Sequence, residues 1–244
     1  MRFDIITLFP DMFTALDCGI TGRAKENGLI TLDFWNPRDY TKDSYHKVDD
    51  SPYGGGPGMV MLFEPMQLAI QAARQADGEQ ASVVYLTPQG KLLDQNLVTN
   101  LTTKKRLILL AGRYEGIDER LVKHEVDAEV SIGDYVLSGG ELAAMVVIDA
   151  ITRQLPGALG DADSAKQDSF VDGLLDYPHY TRPELIGEHN VPKILLSGDH
   201  TAIARWRRKQ ALGRTWARRP ELLAKIELTA ADSMLLNEFI KETK

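Results

Sequence analysis

"AEVSIGDYVLSGGE", Ala128 to Glu141, begins as a short apolar strand, breaks at Gly133 into a loop with three glycines, and leads into the apolar run "LAAMVVIDAI". Two earlier stretches share this design. "ASVVYLTPQG", Ala81 to Gly90, reads as a strand breaking at Pro88, and "RLILLAGRYEG", Arg106 to Gly116, as one breaking at Gly112. Helical stretches separate the three, and strands alternating with helices imply an α/β fold on a parallel sheet. Each loop alone is an ordinary strand-to-helix connection. Three at one sheet edge would make a pocket of backbone donors and acceptors, in the place where open α/β sheets bind ligands. Arg113 is the one basic residue among them, so an adenine or ribose suits such a pocket better than a triphosphate.

Upstream, "RFDIITLF" reads as a buried strand although Asp4 interrupts it, "PDMFTAL" as a short helix with Pro10 in its first turn, and "LITLDFW" as a strand. In "EPMQLAIQAARQA" the residues Met66, Ala69, Ile70 and Ala73 fall on one helical face. The loop before it ends in "DDSPYGGGPGM", Asp49 to Met59, which lacks the Lys-Ser/Thr pair of a phosphate loop and reads as an exposed turn open to close approach.

The chain has 244 residues, a net charge of -7 and one cysteine, Cys18. Such a balance argues against a general nucleic-acid binder, and the lone cysteine excludes an intrachain disulfide or a cysteine-built zinc site. No signal-peptide core is present and no run reaches the roughly 18 apolar residues of a membrane helix, so a reduced, cytoplasmic protein is expected. The five histidines form no metal-binding spacing, and no nucleophile elbow occurs.

Composition changes at "PGALGDADSAKQDS", Pro156 to Ser169, which reads as a flexible linker between a domain of residues 1–155 and a smaller one of residues 170–244. Its acids Asp161, Asp163 and Asp168 keep a linker soluble, or supply a general base that substrate brings into position. The second domain carries helix patterns at "HTAIARWRRKQAL" and "TAADSMLLNEFIKE", with Gly213 a candidate terminator of the first. From Thr201 to Pro220 it holds seven Arg or Lys residues, no acid, and Trp206 and Trp216 among them. Such a run either balances acidic neighbours elsewhere or binds phosphate, for which arginine is the better donor.

The ordered stretches "LFPDMF", "VDDSPYGGGPGM", "YLTPQG", "LILLAGRYEGIDER", "SIGDYVLSGGEL", "DSF", "LLDYPHYTRPE" and "ARWRRKQALGRTWARRPELL" resemble the bacterial tRNA (guanine-N1)-methyltransferases of the SPOUT superfamily, over nearly the whole chain. The resemblance implies a SPOUT fold, with a parallel sheet, a deep C-terminal trefoil knot and a small, mostly helical C-terminal domain. It implies a homodimer whose active sites are shared between chains, S-adenosylmethionine as methyl donor, assistance by magnesium, and guanosine 37 of tRNA as the target.

Carried over by position, the cofactor loops are Tyr85, Leu86, Thr87, Pro88, Gln89 and Gly90; Gly112, Arg113, Tyr114, Glu115 and Gly116; and Ile132, Gly133, Asp134, Tyr135, Val136, Leu137, Ser138, Gly139 and Gly140. Asp168 matches the general base, and Arg153 the arginine beside the guanine O6. Asp49 and Gly58 belong to a motif near the guanine pocket. His179, Arg182, Arg205, Arg207, Arg208, Lys209 and Arg214 are candidate tRNA contacts. Two positions depart from the family pattern: Ala143 stands where proline is common and Thr87 where serine is usual. A SPOUT enzyme acting on another RNA, or a non-catalytic tRNA-binding protein, are the competing readings.

Overall fold

The computed structural model describes residues 1–160 and 168–243, so Asp161 and Asp163 lie outside the described residues. The chain divides into two compact units, Met1–Ala162 and Asp163–Lys244.

The first unit is built on five strands: β1 (Arg2–Ile6), β2 (Thr31–Trp35), β5 (Ser82–Leu92), β6 (Arg106–Leu110) and β7 (Ala128–Ser131). They lie in the order β2-β1-β6-β5-β7 and every pairing is parallel. Two further short strands, β3 (Asp49–Asp50) and β4 (Val60–Met61), pair antiparallel.

Side chains alternate across the sheet as the pleat requires. In β6, Leu107 and Leu109 face one core and Ile108 and Leu110 the other. The first core receives α1 (Gly19–Glu26), α3 (Gln95–Thr102) and α5 (Glu141–Thr152) through Ala24, Val98, Leu101, Ala144, Val147, Ile148 and Ile151. The second receives α2 (Phe63–Gln75) and α4 (Glu119–Glu125). From α2 come Met66, Ala69, Ile70 and Ala73, the four residues that helical spacing placed together. Asp4, which interrupts the first strand's apolar run, is fully buried and paired: Arg106 Nε donates to it at 2.8 Å and Trp35 Nε1 at 2.9 Å.

The "PDMFTAL" segment is the short helix expected, of 3-10 type, Pro10–Asp17, with Pro10 at its start. One local expectation needs correction. Strand β5 does not end at Pro88 but runs on to Leu92, because Leu86 and Lys91 both pair with Val130. The residues between them leave the ladder as a loop and the strand then resumes, so Pro88 sits where no ladder hydrogen bond is needed.

The described residues of the second unit form a short hairpin, β8 (Leu185–Ile186) with β9 (His189–Asn190), a 3-10 helix Lys193–Leu196, and helices α6 (His200–Arg218), α7 (Pro220–Leu223) and α8 (Ala230–Thr243). Gly213 does not terminate α6, which continues through it for five residues. Its missing side chain serves packing instead: an added Cβ would collide with the Phe239 ring of α8. Helix α8 starts on a Thr-x-x-Asp cap in which the Asp232 amide donates to Thr229 Oγ1 at 3.0 Å.

Candidate active site

The loop within β5 and the loops that follow β6 and β7 converge on one cavity of about 290 Å³ in the first unit. Tyr85, Leu86, Thr87, Pro88 and Gln89 line it from β5, and Gly112, Arg113, Tyr114, Glu115 and Gly116 from β6. Ile132, Gly133, Tyr135, Val136, Leu137, Gly139 and Gly140 line it after β7. Of the expected cofactor residues, Gly90, Asp134 and Ser138 fall outside the lining. Sequence reasoning missed Ile117, Glu119, Val122, Glu129, Val130 and Ser131, which line it as well. Ala143, the departure from the family pattern, forms part of its wall and is 7% exposed.

The second and third loops are bonded to each other. The Gly140 amide donates to the Gly112 carbonyl at 2.8 Å, and Arg113 pairs with Gly139 in an isolated antiparallel bridge. Glycine is required at position 140 because a Cβ there would stand 2.8 Å from the Ala111 Cα. The segment around Gly58 docks on the same structure: the Glu115 amide donates to the Met59 carbonyl at 3.0 Å, and the Met61 amide to that of Gly116 at 2.9 Å. A side chain at Gly58, whose φ is +83°, would overlap the Glu115 carboxylate.

Tyr114 is a non-glycine residue at φ 61°, a conformation that persists only where its surroundings hold it. Burial, and after it the neighbouring Asp49 carboxylate, push its phenol above the ordinary tyrosine range. The structure thus brings Asp49 and Gly58, two expected substrate residues, against the loop after β6. Tyr85 is buried beneath Gly112, and that burial raises its phenol, opposed by hydrogen bonding to Ile117 and Thr87.

Charge in the cavity is uneven. Glu115, Glu119 and Glu129 line it, against a single guanidinium among the described residues, that of Arg113. Arg113 is already committed: its Nε lies 2.9 Å from Glu141 Oε2, and its guanidinium carbon sits 4.5 Å above the Phe9 ring. Glu141, fully buried, was not among the expected residues. Its signal in the sequence was an acid heading the apolar run Leu142 to Ile148.

Arg153 caps the C-terminal end of α5 in the first unit. Asp168 belongs to the second unit, half-buried in a cleft of about 320 Å³ that Asp172, Asp176, Tyr177, Arg207 and Arg208 also line. Arg207 lies 4.8 Å above the Tyr177 ring and shares with His179 and Arg182 an open groove of about 870 Å³. His179 Nε2 is 2.7 Å from Asp176 Oδ2.

The remaining basic residues divide. Helix α8 supplies counter-ions that the run itself lacks: Glu238 for Arg205 at 2.6 Å, Asp232 for Arg208 at 2.8 Å, and Glu242 for Lys209 at 2.7 Å. Lys209 is consequently buried, whereas Arg207 is exposed and Arg214 half-buried.

A family model described as tRNA (guanine-1)-methyltransferase TrmD matches residues 1–225. The chain belongs to the TrmD family. Among TrmD relatives, a tRNA (guanine-N(1)-)-methyltransferase of Coxiella burnetii is 62% identical over 239 residues, covering 98% of this chain and 97% of the relative. One of Aeromonas hydrophila is 58% identical over 245 residues, covering 100% and 98%. One of Edwardsiella ictaluri is 58% identical over 243 residues, covering 99% and 96%. Among the described residues of this TrmD chain, no helix is long and apolar enough to cross a membrane, and no three His, Cys, Asp or Glu side chains cluster as a metal site.

Proposed function

We propose that this TrmD chain transfers a methyl group from S-adenosylmethionine to N1 of guanosine 37 in tRNA. The observation that carries the reading is the convergence of the loop within β5 and the loops after β6 and β7 on a cavity where Arg113, the one cation among the described lining residues, is already neutralised. Its donor set fits the cofactor. Backbone edges and Leu86, Ile132, Leu137 and Ala143 suit a nucleoside, the paired Arg113 offers little to a triphosphate, and the carboxylates of Glu115 and Glu129 favour a cationic ligand.

When bound, S-adenosylmethionine supplies a methyl group on positively charged sulfur. The cavity's residues exclude water and orient that methyl. Guanine N1 carries a proton and is a poor nucleophile until the proton leaves. The Asp168 carboxylate accepts it as general base, and Arg153 stabilises the negative charge that develops on O6. Held by Leu86, Ile132, Leu137 and Ala143 with Glu115 and Glu129 nearby, the sulfonium would offer the deprotonated N1 an electrophilic methyl group, with a neutral thioether as its leaving group. With charge managed this way, the remaining demand is alignment.

The tRNA surrenders the base from its stack to reach the cavity. Exposed Arg207, with Arg182, His179 and Arg214, contacts its backbone. Arg205, Arg208 and Lys209, tied to α8, contribute through the field of the helix face. The division into domains at residues 1–155, 156–169 and 170–244 is part of the same reading, supported by the two compact units. So is the knot: the chain after β7 crosses to the end of β6, two strands away in the sheet, and bonds Gly140 to Gly112 there. A homodimer is supported by the exposed Leu142 and Val146 on α5, which a second copy would cover; shared sites and a cytoplasmic location belong to the same reading. Magnesium has no three-ligand group among the described residues, so it is assigned no step.

The test is methyl transfer from labelled S-adenosylmethionine to unmodified tRNA transcripts bearing guanosine or adenosine at position 37. Label is expected at N1 of guanosine 37 and absent from the adenosine transcript. Cofactor binding without transfer to either transcript would move the enzyme to another RNA.

A further inference from the structure

We propose that Glu141 is a positioning residue for the cofactor cavity: it neutralises Arg113 and, through it, holds the loops after β6 and β7 at one spacing. Glu141 does not line the cavity. It is the first residue of α5 and fully buried, and a buried carboxylate is costly unless charge and hydrogen bonds answer it. Three groups do so. The Thr7 hydroxyl, just past β1, donates to Oε1 at 3.0 Å. The first turn of α5 adds the positive end of the helix dipole. Arg113 Nε lies 2.9 Å from Oε2, an ionic contact without the alignment of a hydrogen bond.

Arg113 spreads that anchorage. One terminal nitrogen donates to the Ser138 carbonyl at 3.2 Å, the other reaches Met12 Sδ at 3.4 Å, and the guanidinium plane covers Phe9. The Phe9 amide in turn donates to Thr7 Oγ1 at 3.0 Å. A single buried carboxylate therefore ties the end of β1, the loop that follows β6 and the loop that follows β7. Nothing in the transfer chemistry uses it.

Its charge matters as much as its contacts. Without Glu141, Arg113 would be an uncompensated cation in the wall of a cavity that, on the reading above, admits a sulfonium. The inference rests on that reading, and the sulfonium supplies the discriminating measurement. S-adenosylmethionine is cationic at sulfur, whereas S-adenosylhomocysteine differs only in lacking that charge and the one methyl group that comes with it. Loosened loops would weaken both alike. A freed guanidinium weakens the charged ligand more.

The experiment is calorimetric binding of both ligands to the full-length protein, wild type and Glu141→Gln, a change that keeps size and the Thr7 hydrogen bond. The expected result is a loss of S-adenosylmethionine affinity on the order of tenfold, from one unscreened charge, with about threefold for S-adenosylhomocysteine. In turnover, KM for the cofactor rises while kcat at saturation stays within about twofold. The double variant Arg113→Met, Glu141→Gln removes both charges. It is expected to unfold at the wild-type temperature, to recover the wild-type ratio of the two affinities, and to stay weaker for both ligands because the loops are untied. Equal losses for the two ligands in Glu141→Gln would overturn the proposal. So would a double variant that binds both as tightly as wild type, which remains readable if the single variant fails to fold. Wild-type protein that bound neither ligand would remove the cofactor reading itself, and this inference with it.

Discussion

Gly140 shows how narrowly one residue can define a site. Its amide holds the Gly112 carbonyl, and its Cα faces the backbone at Ala111, so there is no flexible side chain to move aside. Gly140→Ala must therefore push two loops apart. The expected cost is about 1–3 kcal/mol of stability, as for overpacking elsewhere, together with loss of cofactor affinity. Gly78→Ala is the control, since open space surrounds Gly78 and the expected change is within about 0.5 kcal/mol. Thermal unfolding of the two variants measures the difference, and equal midpoints would refute the close-approach argument. Tyr114 makes the complementary point: its left-handed backbone belongs to an exposed residue whose phenol lies beside Asp49, a proximity across sixty-five residues of chain that no local pattern announces.

Among the elements, the legible ones were those whose partners lie on their own face. The spacing of Met66, Ala69, Ile70 and Ala73 defines the buried face of α2 without reference to anything else. Elements were misread where a distant segment decides. Pro88 ended a strand by local rules, yet β5 resumes because Lys91 finds Val130 again after the loop. Gly213 ended a helix by the same rules, yet α6 continues because Phe239 occupies the space that a side chain would take. The basic run on α6 looked uncompensated because its acids stand on α8.

That pairing has a pH consequence. The Arg208 guanidinium, bonded to Asp232, holds its carboxyl below the ordinary aspartate range, with Thr229 adding to the effect against burial. A depressed folded-state pKa means stability that is complete above the unfolded value of about 3.9 and is lost as pH falls through the folded one. Asp232→Asn is expected to cost about 2 kcal/mol at neutral pH. The gap to wild type should close on acidification below about pH 4. Unfolding midpoints that stay equally far apart from pH 7 to pH 3 would rule this out.

For the whole molecule, the question is where the parts of one active site come from. The cavity proposed for the cofactor is lined by the first unit, and Asp168, the proposed general base, belongs to the second. The loops after β6 and β7 were legible because each follows its own strand, and the first because Pro88 and Gly90 mark the excursion within β5. Glu141 was not, because its role depends on Arg113, Thr7 and Ser138 meeting from three separate segments. Asp168→Asn should accordingly leave cofactor binding near wild type while lowering turnover by at least about a hundredfold, the scale of a lost general base. Gly140→Ala should do the reverse, losing the cofactor and keeping the base. If each site takes its cavity from one chain and its base from the partner, coexpressing the two inactive variants restores one intact site in every mixed dimer. Random pairing makes half the dimers mixed, so about a quarter of wild-type activity should return. If both parts came from the same chain, each mixed dimer would hold two broken sites and activity would stay at the level of the single variants. Methyl transfer to tRNA by the coexpressed pair, purified through one tag common to both variants so that every dimer is kept, decides between these arrangements.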